Sequence, residues 1–180
     1  MIFKILKHIF VLLTVILFQM TVFPNMGQNF SNINLVLVTI VFISATYNFY
    51  SGVIYALLLG LYLDIYSPLF FSVNIIVYLV ALSVLYVISN KFLTNKSFYS
   101  LLGLTLIATL VSTILFTIFK MGIYFSQTKD FFLIKKILFQ SGEHFLWGAF
   151  LNVILMILLF LVFNFSSKQF KAVFIDTTKN

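Results

Sequence analysis

Long apolar runs, separated by short polar segments, follow one another along almost the whole chain. Six of these runs come close to the ~20 residues that a helix needs to cross a hydrocarbon core of ~30 Å. They predict transmembrane spans at residues 5–23, 33–48, 50–66, 69–90, 99–119 and 145–165. Because the turns at 48–51 and 66–69 are short, we expect spans two, three and four to form a tight antiparallel unit.

The composition indicates that lipid surrounds most of the chain. Of its 180 residues, 62% are hydrophobic and 8% are charged, whereas a soluble domain carries about 25% charged residues. We therefore predict an all-α integral membrane protein, a polytopic bundle of about six transmembrane helices that forms one domain over residues 1–180. The first run resembles a signal peptide, but it is long and no small-residue cleavage pair follows it, so we expect a retained first span.

Lysines supply all 11 basic residues, and the net charge is +7. They stand singly or in pairs between apolar runs, which is typical of membrane loops and not of a nucleic-acid-binding surface. With the N-terminus inside, seven lysines lie on the cytoplasmic side and four in an outer loop at 120–144, which predicts that both termini are cytoplasmic. Within that loop, residues 131–139 predict a short interfacial helix. A folded-back extension of span six is the alternative.

One acidic residue interrupts the apolar sequence of span three. Asp64 is the only formally charged side chain in more than eighty residues, and it follows Gly52, Ala56 and Gly60 at intervals of four. Residues at this spacing share one side of a helix, and small residues there let a neighbouring backbone approach closely. This small-residue ridge (Gly52, Ala56, Gly60 and Asp64) predicts a helix contact face, against helices of the same chain or against another subunit.

The depth of Asp64 in its span predicts that it faces protein or a wet recess, because exposing a carboxylate to lipid is costly. It also lies near a helix end, which Pro68 is expected to impose. Burial and the helix dipole both favour the protonated form unless donors or a cation compensate. The candidate partners are Tyr62, Tyr66, Ser67 and Lys120. Three roles stay open: fixing the turn before span four, anchoring a partner or a lipid head group, and proton-coupled transport.

Polar residues also recur on the last two spans. Span five carries a hydroxyl stripe at every fourth position, formed by Thr105, Thr109, Thr113 and Thr117. Such hydroxyls can bond back to their own helix, so the stripe predicts helix packing, with a polar conduit as the alternative. On span six, Gly148 and Asn152 form a small-plus-amide pair. We expect the asparagine to bond across to another helix.

The sequence contains no catalytic constellation. Its four acidic residues are dispersed, and no serine–histidine couple or glycine-rich phosphate loop is present. His8 and His144 are predicted on opposite membrane faces, so they cannot share a metal ion. Without cysteine, the chain has neither disulfides nor thiolate sites. We therefore expect no enzyme activity, no cofactor and no metal site.

The segment GVIYALLLGLYLDIYSPLFFSVNIIVYLV, residues 52–80, resembles the central signature of the rod shape-determining protein MreD family. The matching positions are Gly52, Gly60, Leu61, Asp64 and Pro68. Further along, WGAFLNVIL resembles the last helix of the family, with its asparagine at Asn152. The chain departs from the family pattern at Asn34, where a Pro-Asp pair commonly opens the second helix, and in lacking a glycine soon after Pro68.

This resemblance implies a non-enzymatic scaffold in the cytoplasmic (inner) membrane of a bacterium. Such a scaffold belongs to the cell-elongation complex, which maintains rod shape and lateral peptidoglycan synthesis. The implied direct partner is a single-span, MreC-like protein, with MreB, RodA and a peptidoglycan transpeptidase bound indirectly, all among membrane lipids. The small-residue ridge and the basic outer loop are the contact surfaces that the sequence offers.

Two other classes of protein remain. A substrate-binding subunit of an energy-coupling-factor vitamin transporter has a similar size and about six helices. Those subunits typically dock through alanines in the first helix, however, and span one here contains none. A small ion or proton carrier would use Asp64, for which one lone acid is weak support.

Overall fold

Helices follow one another along the computed structural model, which describes residues 2–27, 30–67, 72–92, 98–128 and 131–166. The first helix, α1, covers Ile2–Leu17 and continues through a π-helical turn, Phe18–Val22, and a last α-helical turn, Phe23–Asn25. A 3-10 turn, Phe30–Asn32, follows. The remaining helices are α2 Leu35–Thr46, α3 Phe49–Tyr66, α4 Val73–Phe92, α5 Phe98–Thr128 and α6 Phe131–Ser166.

The predicted all-α membrane architecture is confirmed. Within the described ranges there is no strand, and five helices are long and apolar enough to cross a membrane. The exception is α2, whose 12 residues rise about 18 Å, well short of a hydrocarbon core of about 30 Å. The helix predicted at 33–48 therefore forms, but it is too short to span the membrane by itself.

The other helices enclose α2. Every residue from Leu35 to Ile43 is buried, and α2 contacts each of the five other helices. A helix that is apolar on all sides must be surrounded by lipid or by protein, and here the surroundings are protein. By contrast, Val15 is the one buried residue among the described side chains of Ile2–Leu17, so α1 packs at the periphery.

The segment predicted as an outer loop, 120–144, is helical wherever the structure describes it. Helix α5 continues to Thr128 and α6 begins at Phe131. The predicted interfacial helix at 131–139 is therefore not a separate element; its residues form the first turns of α6, which extend span six as a continuous helix and do not form a folded-back segment. The segment contains no proline, and Lys120, Lys135 and Lys136 lie within the helices, so these three lysines interrupt the apolar pattern without ending either helix.

An asparagine caps the N-terminus of each of the helices α2 and α3. The Asn34 side chain accepts a hydrogen bond from the N–H of Leu37 at 2.9 Å, and the Asn48 side chain accepts one from the N–H of Ser51 at 2.7 Å. Each occupies the N-cap position, where an asparagine satisfies a donor that the first turn of a helix leaves unpaired. The cap at Asn48 completes the short turn that lays α3 beside α2.

Candidate functional site

Asp64 caps the beginning of a neighbouring helix. Its Oδ1 accepts hydrogen bonds from the backbone N–H and the side-chain Nδ2 of Asn74, both at 2.8 Å, and its Oδ2 accepts one from the N–H of Ile75 at 3.2 Å. Asn74 and Ile75 lie in the first turn of α4, where N–H groups have no partner within the helix. The carboxylate on α3 therefore acts as an N-cap for α4, although an N-cap side chain normally belongs to the helix that it caps.

The partners of Asp64 differ from those that the sequence suggested. The carboxylate is 3% exposed, which agrees with the expected shelter by protein, but the donors come from α4. Tyr62 and Tyr66 pack against each other, with ring centroids 5.1 Å apart, and Lys120 lines a groove beside α5. The backbone N–H of Ser67 donates to the carbonyl oxygen of Asp64, 3.4 Å away. This geometry fits the first of the three open roles, a residue that fixes the start of the next helix.

The small-residue ridge of α3 faces α2 and α4 of the same chain. A Cβ added at Gly52 would lie 2.7 Å from the Cβ of Ser44, and one added at Gly60 would lie 3.0 Å from the Cα of Ile75. Between them, Ala56 is completely buried. Since carbon atoms in ordinary contact lie about 3.5–4.0 Å apart, these glycines permit an approach that any larger residue would obstruct. The ridge is therefore occupied by contacts within the chain.

Pro68 falls outside the described residues. Helix α3 ends at Tyr66, and Ser67 has an extended backbone with ψ 136°. A residue that precedes proline favours this extended geometry. The position at which α3 stops thus agrees with the helix end expected there.

Asn152 joins α6 to two other helices. It is 1% exposed; its Oδ1 accepts a hydrogen bond from the N–H of Asn34 at 2.9 Å, and its Nδ2 donates to Oγ1 of Thr109 at 3.2 Å. The hydroxyl of Tyr78 donates in turn to Oδ1 of Asn34 at 3.3 Å. Helices α2, α4, α5 and α6 therefore meet in one hydrogen-bonded junction, and Asn152 makes the bond across helices that an asparagine in an apolar span needs.

Gln19 ties α1 to the same junction. Its Nε2 donates to the carbonyl oxygen of Ile33 at 3.0 Å, and its Oε1 accepts from the N–H of Leu35 at 2.8 Å. This amide satisfies two backbone groups that the irregular segment before α2 leaves without helical partners. Our sequence reasoning did not single out Gln19 or Asn74. Both residues could have been found from the sequence, because an amide side chain inside an apolar run requires a hydrogen-bonding partner.

The threonine stripe of α5 bonds back to its own helix. Each of its four hydroxyls donates to the carbonyl oxygen four residues earlier, at distances of 2.7 or 2.8 Å. Thr105 is completely buried, whereas Thr113 and Thr117 border an open groove. The stripe therefore serves packing at its inner end and lines a polar surface at the other.

That groove, of ≈ 890 Å³, runs between α5 and α6 and reaches the segment before α2. Its polar lining on the two helices comprises Thr109, Ser112, Thr113, Thr117, Lys120, Tyr124, Lys136, Gln140, Ser141, His144 and Asn152. Gly148 belongs to the wall, since a Cβ there would lie 3.3 Å from the carbonyl oxygen of Asn32. A smaller cavity of ≈ 310 Å³, lined in part by Gln19, Asn74 and Tyr78, adjoins it at Asn32.

The two histidines form hydrogen bonds in different parts of the bundle. Nδ1 of His8 lies 2.6 Å from the hydroxyl of Tyr55, which joins α1 to α3, and Nδ1 of His144 is hydrogen-bonded to Oδ1 of Asn32. Among the residues that the structure describes, no three His, Asp or Glu side chains cluster. Both histidines hold helices or turns together.

These features define a multi-pass helical membrane protein whose buried polar side chains bind one another across helices. The family model of the rod shape-determining protein MreD matches residues 1–166, so the chain belongs to the MreD family. No curated protein and no solved structure matches the chain. Family membership assigns the chain a role in determining rod cell shape.

Proposed function

We propose that this chain is a non-enzymatic scaffold of the bacterial cell-elongation complex, with both termini in the cytoplasm, and that it lies in the inner membrane. In this role it binds a single-span, MreC-like protein and thereby contributes to lateral peptidoglycan synthesis. The observation that carries the proposal is the family match, which extends over residues 1–166 of a chain of 180 residues. It therefore includes every helix that the structure describes.

Such a partner would need a surface that the chain does not itself fill. The small-residue ridge is filled by Ser44 and Ile75 of the same chain, so it is not available as an intermolecular surface. The outward faces of the helices are one such surface, and large apolar side chains there, such as Leu13, Leu58 and Leu158, are about half exposed. A partner helix in the bilayer would pack against one of these faces.

Depletion and co-purification test the proposal. Cells depleted of this chain should become round, and the chain purified in mild detergent should carry a single-span protein with it. Expression of the Gly103→Leu variant should restore rod shape, because a Cβ at Gly103 has no neighbour within 4 Å, whereas Gly60→Leu should not. Cells that stay rod-shaped without the chain, or tight binding of a vitamin by the purified chain, would overturn the proposal.

Cysteine cross-linking can locate the partner, because the chain has no cysteine of its own. Single cysteines placed at exposed Leu13, Leu58 and Leu158 sample α1, α3 and α6. We expect one of these helices to form a disulfide with a cysteine in the membrane span of the partner. Leu59→Cys is the matched control for Leu58→Cys, because Leu59 is fully buried beside it.

A further inference from the structure

The groove between α5 and α6 brings polar atoms deep into two apolar helices. At its inner end, Thr109 and Asn152 are hydrogen-bonded and buried, and Lys120 and Lys136 line it further along. From Thr109 to Lys120 helix α5 rises about 16 Å, and from Asn152 to Lys136 helix α6 rises about 24 Å. Acyl chains offer no partner to the ammonium and amide groups of this lining, so water or a polar ligand must occupy the groove.

The charge of the groove specifies the sign of that occupant. Lys120 and Lys136 both line it and are exposed, and its described lining residues include no aspartate or glutamate. Two ammonium groups without an acidic neighbour in the lining favour an anion. A phosphate, with several strong acceptor oxygens, suits lysines as point charges.

The uncharged lining adds a second requirement. The hydroxyls of Thr113 and Thr117 already donate to carbonyl oxygens of α5, so toward a ligand they act as acceptors. Gln140, which also lines the groove, offers both a donor and an acceptor. The ligand that fits best therefore combines an anionic group with hydroxyl or amide donors.

The surroundings of the groove favour an amphiphile over a soluble anion. Phe116, Ile123 and Ile137 supply apolar lining. The outer faces of the same two helices carry exposed apolar side chains, among them Ile118 and Phe150, which are suited to acyl chains. A ligand near Lys120 and Lys136 would thus contact polar atoms and hydrocarbon together.

We infer that this groove binds the phosphate group of an anionic lipid, held by Lys120 and Lys136, with Thr113, Thr117 and Gln140 contacting polar substituents of its head group. The site would give the chain a specific lipid ligand in addition to any protein partner. It uses residues that take no part in the cap at Asp64 or in the small-residue ridge. The inference is therefore testable on the purified chain, whatever protein binds it.

The test measures lipid binding to the full chain in detergent, by native mass spectrometry and by thermal stabilisation. The probes are phosphatidic acid, phosphatidylglycerol, phosphatidylcholine and inorganic phosphate. We expect the two anionic lipids to bind in preference to phosphatidylcholine. Lys120→Gln and Lys136→Gln should each weaken binding about 5-fold, and the double variant about 25-fold. Lys135→Gln is the matched control, because Lys135 is exposed beside Lys136 but does not line the groove.

Each other outcome has a definite meaning. If Lys135→Gln weakens binding as much as Lys136→Gln, general surface charge explains the lipid preference and the inference is wrong. If inorganic phosphate alone stabilises the chain in a lysine-dependent way and the lipids do not, the site takes a soluble phosphate and the lipid is excluded. A photo-crosslinking residue in place of Gln140 that captures a protein helix instead of lipid would assign the groove to a partner and overturn the inference.

Discussion

A Cβ added to either glycine of the ridge should destabilise the bundle, although alanine is the better helix former. At Gly60 the new atom would lie 3.0 Å from Cα, 3.1 Å from Cγ1 and 3.2 Å from N of Ile75. The N–H of Ile75 also donates to Asp64, so moving this backbone would disturb the cap of α4. At Gly52 the new atom would lie 2.7 Å from the Cβ of Ser44.

The expected change in the free energy of unfolding follows from two opposing effects. Overpacking of this kind costs about 1–3 kcal/mol, while replacing glycine by alanine in a helix contributes about 0.8–1.0 kcal/mol of stability. Gly60→Ala should therefore lose up to about 2 kcal/mol. Gly103→Ala, whose Cβ would meet no atom within 4 Å, should gain about 1 kcal/mol instead. Gly52→Ala should lose more than Gly60→Ala, because its closest contact is shorter.

Thermal unfolding of the purified chain in one detergent measures these differences. For a chain of this size about 1 kcal/mol shifts the melting temperature by about 2–4 °C, so the difference of about 1–3 kcal/mol between Gly60→Ala and Gly103→Ala corresponds to about 2–12 °C. Size-exclusion chromatography after stepwise heating reports the folded fraction. Equal melting temperatures for the two variants would refute the reasoning, because the contact at Ile75 would then impose no constraint.

Two further substitutions probe the buried polar contacts by the same melting assay. Asp64→Asn should be milder than Asp64→Leu, because one oxygen remains for Asn74, whereas leucine leaves three donors unpaired at about 1–3 kcal/mol each; equal losses would show that hydrogen bonding at this position is unimportant. Asn152→Leu should cost about 1–3 kcal/mol by leaving the N–H of Asn34 unpaired. Asn25→Leu, which removes only an exposed bond within α1, is its control, and a comparable loss there would contradict this role.

The sequence predicted the helical class and the close approach along α3 because both depend on local spacing. Four-residue intervals between Gly52 and Asp64 remain on one side of any α-helix, whatever surrounds it. The partners of Asp64 could not be predicted in the same way. Two of its three donors are backbone N–H groups of α4, and a search among side chains that complement a carboxylate cannot find backbone donors.

The sequence also could not predict whether α2 is surrounded by lipid or by protein. An apolar run looks the same whether lipid or protein encloses it, and only the length of α2, 12 residues, distinguishes the two. Its boundary depends on the cap at Asn34, a residue noted only because it departs from the family pattern. The segment 120–144 was misjudged because its lysines interrupt the apolar pattern, although α5 continues past Lys120 and α6 includes Lys135 and Lys136.

The enclosure of α2 has a consequence for how the protein enters the membrane during its synthesis. If α2 entered the bilayer alone, the polar residues at its ends, Asn34 and Asn48, would lie within hydrocarbon. We therefore expect α2 and α3 to insert together as a pair. The N–H of Asn34 then lacks its native acceptor, the side chain of Asn152, which the ribosome adds 118 residues later. Until α6 is inserted, water or the insertion machinery must satisfy that group, so the packing of α6 is the step that completes this junction.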